Sequence, residues 1–329
     1  MKTPKLLLPL EYVKQATKQI NKATDHVSFL CMMVTDDEAT DTLIDALSAA
    51  AQRGVDVCVA ADVFTYGELG GHFIPLKYYS RTGRAVTRMS RELTQNGVKF
   101  TWLGRLSTLP FTGRTHSKCL VVDDTVYSFG GVNLYDVSLS YTDYMFECHD
   151  SQLAMELCNE ISRLIEADGK DFSYRSHSFS YGNEGTVLID GGFQADSIIY
   201  RRAIALARES KEVLFVSQYC PAGKLSRAIK KVNRSRLYFN KPSNASFWNK
   251  LIISTGILFS SHRTRYRHKK YLHAKFIIFT LQSGEKVAIT GSHNFMPASV
   301  IFGTKEIALE TRDTKIIAQL EAFFEEYVK

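Results

Sequence analysis

The sequence predicts an α/β protein built from two similar halves, each a mixed β-sheet flanked by helices. Three observations carry that prediction. Helical and extended hydrophobic patterns alternate along the chain. The order helix, strand, helix, strand occurs near the start and again after the midpoint. In each half an apolar run then returns on itself as a hairpin. With 329 residues the chain is long enough for two domains, or for one large body of two halves. Hydrophobic residues at 45% and charged residues at 23% are ordinary for a folded chain.

Residues 11–23 read as an amphipathic helix, 26–34 as a strand, 42–53 as a helix and 55–60 as a second strand. Gly54 supplies the helix stop between the last two. The same order returns as a helix over 198–210, a strand over 212–219, a helix over 224–232 and a short strand over 236–239. Strand-like runs at 97–103 and 256–260 come next in their halves. Apolar strands 119–122 and 276–279 follow, with return strands 126–129 and 287–290. The seam falls in the polar stretch 168–182, which sets the expected domains at 1–172 and 173–329. Two copies of about 150 residues do not make a solenoid.

Composition excludes several classes. No apolar run approaches the roughly eighteen residues that cross a bilayer, and 28–34 and 251–260 have the length of buried strands or short helices. Residues 6–10 follow two lysines, but Pro9 and Glu11 make that run too short for a signal-peptide core. The expectation is a cytoplasmic protein, with any membrane contact peripheral, on the inner face. The six cysteines (Cys31, Cys58, Cys119, Cys148, Cys158, Cys220) form no C-x-x-C pair and read as small buried hydrophobes, not as metal ligands or disulfides. A net charge of +7 and a pI near 9.0 favour anionic partners, either phospholipid surfaces or nucleic acid.

The chemistry sits at matching places in the two halves. His116-Ser-Lys118 is followed by Asp123 and then by Gly130-Gly131-Val-Asn133. His273-Ala-Lys275 leads to Gly291-Ser292-His-Asn294. One H-x-K carries little information; two copies, each heading an apolar strand and each followed by G-[GS]-x-N on the return strand, carry much. In extended backbone residues i and i+2 share a face, so each His projects with its Lys. The hairpin then brings the Asn alongside, and the glycines let the backbone come close. Each half thus offers an imidazole, an ammonium and an amide, a set suited to holding phosphate oxygens.

This duplicated pattern resembles the phospholipase D superfamily over most of the chain. The runs 41–62 (DTLIDALSAAAQRGVDVCVAAD), Tyr219-Cys-Pro221 and Tyr271-Leu-His-Ala-Lys275 look most like the bacterial cardiolipin synthases. The resemblance implies two halves packed with pseudo-twofold symmetry around one active site. It also implies covalent catalysis without metal or other cofactor. One histidine attacks phosphorus to form a phosphohistidine, and the other protonates the leaving alkoxide and then takes a proton from the incoming alcohol or water. His116 is assigned as nucleophile and His273 as general acid, with Lys118, Lys275, Asn133 and Asn294 holding the phosphate. Asp143 and Glu306, each at the start of a strand-like run, are the expected orienting carboxylates, with Glu147 and Glu310 as second choices. Asp123, Gly130, Gly131, Gly291 and Ser292 support the motifs. The second copy departs from the pattern with Thr280 at the place of Asp123 and a longer hairpin.

The implied function is a phosphatidyltransferase of phospholipid metabolism, with anionic phospholipid and a membrane surface as partners. Hydrolysis of phospholipid, or a metal-independent nuclease with nucleic acid as partner, is the alternative. Thr280 also leaves room for a non-catalytic binding protein. The stretch 263–271 (RTRYRHKKY), with five Lys and Arg, reads either as a phosphate-attracting rim or as a solvated edge. Residues 72–79 (HFIPLKYY) and the neighbourhood of Trp248 read as interfacial segments or as core packing. Alternation points His293 away from Asn294, as packing or exposed surface. Met32 and Met33 read as core.

Overall fold

The computed structural model describes residues 2–65, 81–104, 113–169 and 173–329. The reading of 72–79 and the side chain of Trp248 lie outside the described residues. The chain forms two compact units. One comprises Met1–Ser128, Val132–Ser140 and Met145–Tyr174; the other comprises Phe129–Gly131, Tyr141–Tyr144 and Arg175–Lys329. Two short segments from the first half of the sequence therefore pack within the second unit.

The first unit holds a seven-stranded sheet of β1 (Lys5–Leu7), β2 (His26–Cys31), β3 (Asp56–Asp62), β4 (Lys99–Leu103), β5 (Cys119–Val122), β6 (Thr125–Ser128) and β7 (Met145–His149), in the order β1-β7-β6-β5-β2-β3-β4. The second holds β8 (His177–Tyr181), β9 (Gly185–Gly191), β10 (Ser210–Val216), β11 (Arg234–Tyr238), β12 (Phe276–Leu281), β13 (Lys286–Gly291) and β14 (Lys305–Thr311), in the order β11-β10-β12-β13-β14-β9-β8. Read in opposite directions, the two orders share six strands: β1, β7, β6, β5, β2 and β3 answer to β9, β14, β13, β12, β10 and β11. The first sheet adds β4 at one edge and the second adds β8 at the other. Pairs β2–β3 and β10–β11 are parallel, and the hairpins β5–β6 and β12–β13 are antiparallel.

The helices are α1 (Pro9–Ile20), α2 (Asp41–Gln52), α3 (Arg81–Gln95), α4 (Ser151–Gly169), α5 (Ile198–Glu209), α6 (Gly223–Ile229), α7 (Phe247–Ser260) and α8 (Thr314–Phe323), with shorter turns between. Local chemistry starts several of them. Pro9 opens α1, Ser197 accepts from the Tyr200 N–H at the head of α5, and Asp313 accepts from Lys315 and Ile316 at the head of α8. All four residues of β5 are buried, as are Phe276–Phe279 of β12, because both faces of each sheet centre are covered.

One expectation fails outright. Residues 256–260 are not a strand but the last turn and a half of α7. In the first unit α3 supplies the crossover that makes β4 a parallel neighbour of β3. After β11 the 256–260 run is itself part of the next helix, so among the described residues β4 has no counterpart beside β11, and an apolar run this short looks alike in either state. Nor is 251–260 buried throughout: Leu251, Leu258 and Phe259 are exposed. Strand β2 ends at Cys31, with Met33 buried and Met32 only half-buried. The edge strands β1 and β8, and β9 beside β8, were not anticipated, being very short, alternating or partly polar.

Candidate active site

Both H-x-K segments lie just ahead of a sheet-centre strand, outside its ladder: His116 and Lys118 before β5, His273 and Lys275 before β12. The second copy sits in the second unit with its surroundings complete. Thr142, in one of the two crossing segments, pairs with Leu272; its N–H donates to the Tyr271 carbonyl, and its carbonyl accepts from the N–H groups of His273 and Ala274, each at 2.9 Å. That register places the neighbouring Asp143 against the imidazole, with Asp143 Oδ2 2.7 Å from His273 Nδ1. Asp143 and His273 are both buried.

Burial by itself would raise the Asp143 carboxyl, but the His273 and Lys275 charges beside it hold it below its ordinary value. It is therefore a carboxylate and can only accept, so His273 Nδ1 carries the hydrogen and Nε2 is left to exchange a proton with a substrate. Lys275 Nζ stands 3.2 Å from Nδ1 and 3.3 Å from Nε2, and donates to the His273 carbonyl at 2.5 Å. Complete burial brings this lysine down to about 8, against the opposing pull of Asp143 and Glu306.

Gly131 explains its own residue type. A Cβ there would come within 2.8 Å of Asp143 Oδ2 and 2.9 Å of Lys275 Nζ. At Gly291 the added carbon would meet the Ile307 carbonyl at 2.3 Å. Asn294 is buried, with its carbonyl accepting from Ser217 at 3.2 Å. Ser292 donates to Glu306 at 2.5 Å. Glu306 faces Asp190 across the β9–β14 pair. Burial, with Glu306 adding to it, pushes Asp190 up to about 7. Asp143, not Glu306, is thus the carboxylate on His273. His293 is buried; its Nδ1 accepts from the Phe295 N–H at 2.7 Å and its ring packs near Tyr200 and Phe295, a packing role.

In the first unit His116, Lys118 and Asn133 are all buried. Lys118 donates to the His116 carbonyl at 2.7 Å, as Lys275 does to that of His273. The Oδ1 atoms of Asn133 and Asn294 are both buried without a hydrogen-bond partner among the described residues. Asp123 does not face this group. It accepts from the N–H groups of Thr24, Asp25 and His26 at 3.0–3.1 Å, tying the β5–β6 turn to the start of β2. Glu147 is occupied by Tyr127 at 2.9 Å and Glu310 by a two-point pair with Arg202 at 2.6 and 2.7 Å, so neither second-choice carboxylate lies on a motif histidine.

Several supporting residues escaped the sequence reading. Asp62, at the end of β3, accepts from the Thr115 N–H at 2.7 Å and from Arg114 at 3.0 Å, fixing the approach to His116. Asn240 accepts from the Leu272 N–H at 2.9 Å, fixing the approach to His273 at the matching position. Beside His273 the Tyr141 ring lies 5.9 Å away and packs at a tilt against Tyr271, centroids 4.9 Å apart. Gln218 donates to the hydroxyls of Tyr271 and Tyr219, and Tyr219 donates to Asn249 of α7. The internal repeat could have found Asp62 and Asn240, since Asp62 ends β3 and Asn240 lies two residues past the end of β11, the strand that answers to it. Among the described residues no cluster of His, Cys, Asp and Glu is placed to hold a metal ion.

A family model described as cardiolipin synthase, PLD-like domain, matches residues 16–165 and 202–328. Among solved structures, phosphatidylserine synthase from Haemophilus influenzae Rd KW20 is similar over 99% of this chain and 87% of its own, with a TM-score of 0.75 and 16% identity. Polyphosphate kinase from Porphyromonas gingivalis is similar over 98% of this chain and 46% of its own, with a TM-score of 0.62 and 13% identity. No curated protein sequence matches.

Proposed function

The chain belongs to the cardiolipin synthase, phospholipase D-like family, and on that premise we propose that it is a phosphatidyltransferase working through a phosphohistidine. The observation that supports this most is the His273 group: an imidazole whose Nδ1 hydrogen is fixed by a buried carboxylate, with a buried lysine within 3.3 Å of its other nitrogen. The duplicated motif supports a second such group around His116, with both serving one phosphoryl group. The two asparagine amides whose oxygens lack partners among the described residues are then the remaining donors and acceptors for it.

His116 Nε2 attacks phosphorus. The bond to the leaving glycerol oxygen breaks as His273 Nε2–H gives that oxygen its proton. The acceptor hydroxyl next passes its proton to His273, its oxygen bonds phosphorus, and the P–N bond to His116 breaks. Asp143 suits His273 to this exchange, because a fixed carboxylate favours the imidazolium that donates in the first step and is regenerated in the second. Lys118 and Lys275 neutralise the phosphate oxygens, which favours attack by a neutral nucleophile. In this proposal Glu306 orients His116.

The test is a rapid quench with vesicles of labelled phosphatidylglycerol, followed by mapping of acid-labile phosphorus. Label on His116, and a diphosphatidyl lipid as product, is the expected result. His116→Asn and His273→Asn should each lower turnover at least about a thousandfold. Phosphatidic acid as the sole product would make the enzyme a hydrolase. Cleavage of single-stranded DNA with no action on lipid would make it a nuclease, the reading that the basic run 263–271 favours.

A further inference from the structure

Helix α7 is apolar on its outer side as well as on its buried one. Phe247, Leu251, Leu258 and Phe259 are 74%, 53%, 75% and 85% exposed, while Ile253 and Ser260 on the opposite side are buried. At 100° per residue the four exposed positions, with exposed Thr255 among them, fall within one third of the helix circumference. A helix that only covers a core is polar on its outer side, and exposed apolar faces of this kind mark a partner. The charge around it narrows the choice. Residues 213–284 contain fourteen Lys and Arg and no Asp or Glu, a local charge of +14 against +7 for the whole chain. Of these, Lys241, Lys250, Arg263, Arg265, Arg267, Lys269 and Lys270 are exposed and flank α7 in sequence. Asn244, just before the helix, donates to the His268 carbonyl at 2.9 Å, so the basic segment runs beside the helix start.

We propose that α7 and the segment 263–270 form the surface by which this protein docks on an anionic lipid bilayer, the helix lying in the interface and the basic side chains among the headgroups. Nucleic acid would satisfy the charge but leave Leu258 and Phe259 in water; a bilayer takes both. The position fits the proposed activity, on which this inference rests. Asn249 accepts from Tyr219, and Gln218 joins Tyr219 to Tyr271, two residues before His273. A lipid held at α7 is thereby close to the catalytic group without leaving the bilayer.

The test is co-sedimentation of the full-length protein with vesicles of phosphatidylglycerol mixed with phosphatidylcholine, and with phosphatidylcholine alone. Binding should require the anionic lipid. Leu258→Ser with Phe259→Ser should weaken it about tenfold or more for each side chain removed from the apolar layer. Arg265→Gln with Arg267→Gln should weaken it about fivefold per charge. The thermal transition should stay at the wild-type temperature, since all four side chains are exposed. Unchanged vesicle binding by either variant overturns the proposal. So does a wild-type dimer that the serine variant converts to a monomer while it still binds vesicles, because a second copy would then be what covers α7. Turnover of a water-soluble, short-chain phosphatidylglycerol separates this inference from the proposed activity. The variants should match wild type there, whereas a wild type inert on that substrate would count against the phosphatidyltransferase and leave the docking result standing.

Discussion

The two halves repeat the same strands around the same motif yet support it differently. Ahead of His116 the chain is clamped by a charge: Asp62, fully buried, takes the Thr115 N–H and pairs with Arg114. Ahead of His273 the matching clamp is neutral, Asn240 taking the Leu272 N–H at 2.9 Å. The β5–β6 turn is tied down by Asp123, at a backbone φ of 48°. In the second half Thr280 continues the strand, pairing with Glu212 on one side and Lys286 on the other, and the turn lies further along. What stays constant is what meets the phosphate in the proposed reaction: His, Lys and Asn. What varies is how the backbone is held, for which one buried acceptor serves as well as another.

The largest effect should come from the residue that serves one copy from the other half of the sequence. Asp143→Asn keeps the shape but lets His273 lose its fixed tautomer, and turnover should fall on the order of 10²–10⁴-fold. The pH profile sharpens the point. Lys275 has a value lowered to about 8, so its ammonium, and with it activity, is lost as pH rises through that value. Asp143 raises the lysine, so removing its charge should move the alkaline limb to lower pH; a limb that stays in place would mean another group sets it.

Next come the clamps. Asp62→Asn strands Arg114 without its buried counter-charge and should cost about 3–5 kcal/mol in urea unfolding. Asn240→Ala should cost less, about 1–3 kcal/mol, because only neutral groups lose a partner. Equal losses would erase the distinction drawn between the two halves.

Asp123→Ala should cost about 1–2 kcal/mol at neutral pH and leave kcat unchanged. Burial works to raise this carboxyl, but the N–H groups of Thr24, His26 and Asp25 hold it below its ordinary value. The stability it contributes is therefore present above the ordinary carboxylate value of about 3.9 and fades as pH falls through the lowered one. The gap between wild type and variant should close in acid. The smallest effect is expected from Thr280→Asp, within about 0.5 kcal/mol and without gain in rate. A large gain would mean that the second copy had lost something it still needs.

Much of the fold was legible because its signals are local. The hairpins around 119–129 and 276–290 are apolar at most of their buried positions, Thr125, Ser128 and Thr290 excepted, and Gly54 stops α2 where expected. The 256–260 run was illegible because a short apolar stretch has no period to read, and only the chain available after β11 decides whether it crosses back as a strand or forms a helix. Of the site, the choice of Asp143 over Glu147 as partner of a motif histidine follows from its place at the start of the run. Which histidine it serves did not follow. Sequence nearness suggests His116, whereas the pairing of Thr142 with Leu272 puts Asp143 on His273.

The sequence by itself determined the duplication, the two H-x-K and G-[GS]-x-N pairs and the basic balance, because each is a matter of residue type and spacing along the chain. The tertiary structure decided that Asp143 crosses to the second unit, that Gly131 lies where a side chain would strike Asp143 and Lys275, and that α7 shows a second apolar side to solvent. The physical reason is that spacing sets which side chains share a face over a few residues. Contact between residues 130 apart, and the exposure of a helix face, are set by what the rest of the chain packs against it.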